Sequence, residues 1–273
     1  MSLEQHWVSH NPAEGRRQLK ALLSRAEDIP TSSRARALRC LGGSTELLGE
    51  IEPAAALYEE SLRLYTELGD EWGIIHIRHR LGNCAVQRGD LAGARALFEG
   101  NLMRARAADF RFLEAEALGG CGWVAGQDGD LERARELTQQ HVKVVEEVGW
   151  VWGEAMGRIY LADLCLSLDR FDDCEESARA GLLLARRLDD RLNSVRALAV
   201  LAARAGAAGD ADRAGRLWGA IEAEEARGPV GRGEGHRRHR DRALAGGGDE
   251  LERALDAGRG MTLAEAAASA LED

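Results

Sequence analysis

No apolar run in this chain approaches the roughly 18 residues of a membrane-spanning helix. The opening MSLEQHWVSHNPAEG lacks the basic-then-apolar layout of a signal peptide, so the expectation is a soluble, cytoplasmic protein without membrane contact. Helix breakers and strand formers are scarce too: 4 of 273 residues are proline, 5% are aromatic, and β-branched residues are few. Ala, Leu, Arg and Glu are prominent instead, which favours helix throughout. The five cysteines are an odd number scattered without metal-type pairs, which argues against a disulfide framework or a zinc module. Positive charge is short, with a net charge of −10. A basic face able to displace counterions from phosphate is therefore not expected, nor is direct nucleic-acid contact. One stretch departs from that balance, since Arg227 to Arg242 holds six Arg against Glu234 and Asp241. There is no G-x-x-x-x-G-K-[S/T] phosphate loop, no G-x-S-x-G, no paired Cys/His signature and no Gly-rich loop after a strand. Neither an enzyme nor a cofactor is expected.

What the chain does have is an internal repeat. The stretch from Glu71 to Phe110 reads as helix, tight turn, helix, with the turn at Gly89-Asp90. The same place is taken by Gly49-Glu50, Gly129-Asp130, Asp169-Arg170 and Gly209-Asp210, a fixed 40-residue period without insertion. Such a period signals a helical array in which each unit packs on its neighbours. Five units follow, 31–70, 71–110, 111–150, 151–190 and 191–230, together spanning 31–230, with a half-repeat helix in 1–30 and a helical cap in 231–273. In the first unit the apolar columns are Ala35, Leu38, Leu41 and Thr45, and a small residue (Gly42, Gly82, Gly122, Ala162 or Ala202) follows the Leu41 column. That small residue lets the paired helix approach closely. The acidic turn residue suits the N-terminus of the second helix, and the glycine ends the first. The fourth position of each second helix is Ala or Cys, and four residues later come Tyr58, Phe98 or Trp218, replaced by Thr138 and Ala178. The third and fourth units are expected to pack less tightly there. Cys121, Cys165 and Cys174 fall in Leu and Ala columns and read as small buried fillers.

At the N-terminal end, Leu19, Leu22, Leu23 and Ala26 mark an amphipathic helix over 13–26 just after Pro12, and the expectation is that either Trp7 and its neighbours cap that end or the chain is a piece of a longer one. Beyond Ala226 the register stops. Helices are expected near 236–245, near 249–257 and from Leu263, the last fixed by a capping box from Thr262 to Glu265.

The Leu-then-Gly/Ala column, the Gly-Asp turn, and the Ala followed by an aromatic resemble tetratricopeptide repeats, with a period longer than the usual length of about 34 residues. The resemblance implies an all-α fold, a right-handed α-solenoid of helix pairs with an irregular helical C-terminal cap. The longer form, with Trp72-Gly73 and Trp152-Gly153 opening units and a tail of RAGRLWGAIE followed by AGRGMTLAEAAASALED, is similar to the repeat region of large bacterial ATP-dependent transcriptional regulators of the LuxR-type and maltose-regulator class. That family's ATPase and DNA-binding parts have no counterpart here, because the phosphate loop and a recognisable helix-turn-helix are both missing. The resemblance therefore implies the sensor and interaction part of such a system, or a stand-alone relative.

In such an array the inward columns that vary between units can specify a ligand. They are Arg36, Arg39, His76, His79, Asn83, Glu116, Trp123, Gln127, Met156 and Asp163. This mix of cation, amide, aromatic and carboxylate suits a peptide or protein segment in a concave groove, or a small-molecule inducer; the competing reading is plain solvated helix faces. His76 and His79, three apart, could turn two imidazoles toward a metal, but no third or fourth ligand stands at suitable spacing, so no metal site is expected. His236 and His239 repeat that spacing in what reads as a solvated basic turn, with Arg237, Arg238, Arg240 and Arg242 the alternative contacts for an anionic partner. The chain thus reads as a non-enzymatic binding module, a sensor or scaffold in transcriptional regulation. A self-association element, pairing a homodimer through exposed Trp150 and Trp152 or through the open N-terminal end, or a stand-alone adaptor is the alternative.

Overall fold

Between residues 31 and 227 the backbone repeats every 20 residues, half the period of the sequence. The computed structural model describes residues 11–25, 29–228, 230 and 234–272, so Trp7 lies outside the described residues. Its fourteen helices, with no strand among the described residues, are α1 (Pro12–Arg25), α2 (Thr31–Leu47), α3 (Ile51–Leu68), α4 (Glu71–Gln87), α5 (Leu91–Ala107), α6 (Arg111–Gln127), α7 (Leu131–Val148), α8 (Val151–Ser167), α9 (Phe171–Arg187), α10 (Arg191–Ala207), α11 (Ala211–Arg227), α12 (Glu234–Ala243), α13 (Gly248–Arg259) and α14 (Leu263–Glu272). Each link from α2 to α11 carries one left-handed residue: Gly49, Gly69, Gly89, Asp109, Gly129, Gly149, Asp169, Asp189 or Gly209. Asp is among the few side chains that tolerate this conformation, which is how the fourth unit turns without its glycine.

The caps follow side-chain length. Asp70, Asp90, Asp130, Asp190 and Asp210 each accept a hydrogen bond from the backbone N–H three residues on. Glu50, expected to act the same way, does not cap. Its longer side chain instead reaches Arg16, 2.6 Å away. Arg170 also leaves its helix uncapped by a side chain.

The chain divides into two compact units, Met1–Asp128 and Gly129–Asp273. In the first, α1 to α6 pack as consecutive antiparallel neighbours, and α4 also touches α6. The aromatic column sets the spacing. Phe98 of α5 lies between Gly82 of α4 and Gly120 of α6, where an added Cβ would come within 2.5 and 2.7 Å of its ring. Tyr58 covers Gly42 in the same manner, and both rings are fully buried. Two buried polar side chains of second helices are satisfied by first-helix carbonyls: Ser61 donates to Ala35 and Asn101 to Ile75.

The second unit holds α7 to α14. Its core is centred on Trp218, Leu198, Leu201 and Leu182, and the last two helices close it. Gly215 and Gly219 of α11 meet the backbone of α13, while Ala266, Ala267 and Ala270 of α14 join the core. The Thr262–Glu265 box starts α14, with both reciprocal hydrogen bonds made. Thr138 and Ala178, expected to mark loose packing, are nonetheless buried, and the Thr138 hydroxyl donates to the carbonyl of Ala134. All five cysteines are free thiols, and burial pushes those of Cys84 and Cys174 up to about 11 and about 12.

Candidate functional site

Four of the ten candidate residues meet on the first helices of unit 1. His76 and His79 lie one turn apart on α4, and the packing of α4 against α6 brings Glu116 to them: Glu116 Oε2 is 3.7 Å from His76 Nδ1, beyond hydrogen-bond length. Neither of those two atoms, nor His79 Nδ1, has a hydrogen-bond partner, and all three are shielded from water. His79 packs against Phe98 at 5.2 Å between ring centroids, so the ring that spaces the helices also forms the floor of the site. Trp72 lies flat on His76, with centroids 4.9 Å apart and planes 8° apart. The Arg39 guanidinium of α2 stands 5.7 Å from the Trp72 ring, within cation–π range. Trp72 is the exposed member, at 38%.

Electrostatics follow from burial. Desolvation drives the His79 imidazole down to about 4 against the opposing pull of Glu116, so it is neutral near neutral pH. Burial raises the Glu116 carboxyl, but the two imidazoles and the Arg80 guanidinium outweigh it and hold it well below the usual carboxylate range. The cluster is thus an ionised carboxylate facing the His76 imidazole at ion-pair distance without a hydrogen bond, a second imidazole whose Nδ1 also lacks one, and an aromatic face at the surface. A buried polar atom without a partner costs about 1–3 kcal/mol. Such atoms are rare enough in folded proteins to need a reason, and a ligand is one. No group of three His, Cys, Asp or Glu among the described residues is arranged to hold a metal ion.

The other unit 1 candidates stay apart. Arg36 and Gln127 are exposed, and Asn83 and Trp123 are half-buried. None of the four makes a hydrogen bond, ion pair or ring contact with the cluster among the described residues. Sequence reasoning missed Trp72 as a contact residue. Its signal was the column Ser32, Trp72, Phe112, Trp152 and Leu192, whose last four members keep large apolar side chains 38–44% exposed. A cavity of about 290 Å³ lies elsewhere in this unit, lined by Lys20, Glu50 and Glu60 among others, away from the cluster.

In unit 2 the two remaining candidates differ. Met156 is half-buried and enters no polar contact, whereas Asp163 is engaged by the basic segment. The segment forms the helix expected near 236–245, α12, but its histidines, expected to be solvated, are half-buried. His239 Nε2 is 2.6 Å from Asp163 Oδ1, and His236 Nε2 is 2.8 Å from Glu225 Oε1. Arg242 donates to Asp169 at 2.7 Å and to the Leu166 carbonyl at 3.1 Å. Trp150, expected to be exposed, is half-buried over Gly153, where an added Cβ would meet its ring at 2.5 Å. Trp152 does stay exposed, its indole N–H donating to Asp190 at 3.1 Å.

These helix pairs, turns and aromatic spacers define an all-α array of the tetratricopeptide-like class. The solved structures it resembles are helical-repeat proteins of that class. BtubC (BKLC) from P. vanneervenii matches at 14% identity and a TM-score of 0.58, over 96% of this chain and 94% of that one. The Rap conjugation gene regulator of plasmid pLS20, in complex with the Phr* peptide, matches at 14% identity and a TM-score of 0.65, over 93% and 73%. A Rap protein complexed with Competence and Sporulation Factor matches at 13% identity and a TM-score of 0.65, over 96% and 73%. Identities this low establish the fold alone. No protein-family model and no curated protein matches the chain. No helix among the described residues is long and apolar enough to cross a membrane.

Proposed function

We propose that the chain is a non-enzymatic helical-repeat binding module that holds a peptide or a segment of a protein on the first helices of unit 1, over Trp72, His76, His79 and Glu116. The observation that carries this reading is the set of buried polar atoms without hydrogen bonds beneath an exposed aromatic side chain. The pairing of this fold with the Phr* peptide in the Rap conjugation gene regulator supports it. The division into a half-repeat in 1–30, five repeats in 31–230 and a cap in 231–273 belongs to the same proposal, as does a cytoplasmic sensor or scaffold role in bacterial transcriptional regulation. That role rests on the resemblance to the ATP-dependent regulators. Selection of a random displayed peptide library on the purified chain tests the site. Enriched peptides should lose at least about tenfold in affinity, or about 1.4 kcal/mol, on Trp72→Ala and on Glu116→Gln. Trp72→Ala should keep the wild-type melting temperature, and Glu116→Gln, which gives up the depressed carboxyl, should still be fully folded at the assay temperature by circular dichroism. Enrichment that both variants retain would remove this face from consideration.

A second reading is favoured by one observation, the exposed apolar edge of Val148, Trp152, Leu188 and Leu192 in unit 2. Such an edge suits self-association into a homodimer. Light scattering across a concentration series, with Trp152→Glu as the control, distinguishes it: a wild type that stays monomeric at high concentration excludes it.

A further inference from the structure

The two faces of α12, EGHRRHRDRA, do different things. His239 and Arg242 turn toward α8, His236 toward α11, and Ala243 toward α10, while Arg237, Arg238 and Arg240 remain exposed. Besides the bonds to Asp163, Asp169 and Leu166, Arg238 stands 3.9 Å from Asp163. The floor is Gly206 of α10, where an added Cβ would lie 2.5 Å from the Arg242 carbonyl oxygen and 2.7 Å from Ala243 Cα. Helix α12 therefore lies across α10 with its polar side chains reaching α8 on one side and α11 on the other.

A helix serving only to cover an apolar end would be apolar on its inner face, and the next two are. Helix α13 buries Leu251, Ala254 and Leu255, and α14 buries Ala266, Ala267 and Ala270. Helix α12 buries Ala243, sets the His236 ring 5.0 Å from the Trp218 ring and the Arg242 guanidinium 5.8 Å from the Phe171 ring, and is otherwise held by imidazole and guanidinium groups on carboxylates and on the Leu166 carbonyl. The Asp169 side chain is 71% exposed, so its bond to Arg242 is a surface contact of small net worth. Charge agrees with this picture, because the segment around α12 is basic in a chain of net charge −10.

We propose that the acidic edge formed by Asp163 of α8 and Asp169 of the link that follows it, with the Gly206 floor, is a docking site for a basic helix of a partner protein, and that α12 is its exchangeable occupant in cis. The recognised pattern is a histidine or arginine aimed at Asp163, an arginine one turn further on for Asp169 and the Leu166 carbonyl, and a small residue against Gly206. The site is separate from the cluster in unit 1 and does not rest on the function proposed for it.

The test uses the full chain and a fluorescein-labelled synthetic peptide of residues 234–245, followed by anisotropy. In the wild type α12 competes, so the peptide binds weakly. In the double variant His239→Glu, Arg242→Glu the site is vacated, and affinity rises at least about tenfold. Adding Asp163→Lys to that double variant abolishes binding. Failure of the peptide to bind a double variant that keeps wild-type helicity by circular dichroism overturns the proposal, as does binding indifferent to Asp163→Lys. Should the double variant unfold, the wild type answers alone. Excess unlabelled peptide must accelerate tryptic cleavage at Arg237 and Arg238 by displacing α12, and an unchanged cleavage rate rejects the site.

Discussion

The first helices of unit 1 and those of unit 2 are built on the same columns, yet their polar groups end differently. In unit 1, His76, His79 and Glu116 converge and leave three shielded atoms without hydrogen-bond partners. In unit 2, Asp163, in the column of Asn83 and Trp123, has its partner in His239 of the same chain. Left unpaired, such groups cost stability; paired, they fix a docked segment in place. The same helical frame therefore presents one cluster in which an imidazole pair and a carboxylate converge without hydrogen bonds, and one carboxylate, Asp163, that is paired from within the chain, while His236 Nε2 and Arg204 Nε in unit 2 also lack a hydrogen bond.

The largest effect comes from removing what the first face rests on. Phe98→Ala takes away the ring between Gly82 and Gly120 and the floor under His79. It should cost about 3–5 kcal/mol, read by urea denaturation. Hydrogen exchange should place the lost protection in α4 to α6 and leave α12 protected. Equal losses in both places would break the comparison. Next in size is an acid effect on the unit 1 face. His79 titrates near 6.5 in an unfolded chain and at about 4 in the fold, so between those values the unfolded chain holds more protons. Stability should therefore fall as pH drops from about 6.5 to about 4, by on the order of 2 kcal/mol, with Glu116, His76, Arg80 and Phe98 facing the ring. Glu116 works in the same direction, its depressed carboxyl losing its contribution below about 4.5. His79→Gln should flatten the fall in a series of urea midpoints, and an unaltered slope would show that His79 is not its source.

How much of this was legible in the sequence depends on how local the signal was. The helix pairs could be read because the Leu, Gly/Ala and aromatic columns each recur at fixed spacing, and Gly82 facing Phe98 is a pairing within one repeat. The 20-residue backbone period was hidden, because Gly69, Asp109, Gly149 and Asp189 alternate two residue types at one left-handed position. The union of His76 and His79 with Glu116 could be suspected only from position, since it depends on how far α6 stands from α4, a distance that Phe98 sets. The docking of α12, a helix expected near 236–245, was the least legible. The helix carries no apolar stripe in its ten residues, and its partners Asp163 and Asp169 lie more than 60 residues upstream, so the segment resembled solvated charge.

Smaller effects sharpen the second face. Arg242→Ala removes the bonds to Asp169 and Leu166 and should cost only about 1 kcal/mol, because the contact is exposed. Trypsin should nevertheless cut α12 about fivefold faster, which is what that energy is worth if cleavage follows the opened population. Unchanged cleavage would mean that Ala243 and His239 hold the helix by themselves.

The smallest change in stability is the most discriminating. Asp109 and Asp169 occupy equivalent left-handed positions with the same φ of 55°, one in each unit. Glycine relieves the Cβ strain at either, which should stabilise Asp109→Gly by about 0.5–1 kcal/mol. At Asp169 the same relief is offset by loss of the Arg242 partner, so Asp169→Gly should leave stability within about 0.5 kcal/mol of the wild type. The difference between the two variants isolates the bond to α12, because the backbone term is common to both. Native-state hydrogen exchange should then show the α12 amides exchanging faster in Asp169→Gly and unchanged in Asp109→Gly. If the two variants stabilise equally, Asp169 is a turn residue like any other, and the acidic edge loses one of its two anchors.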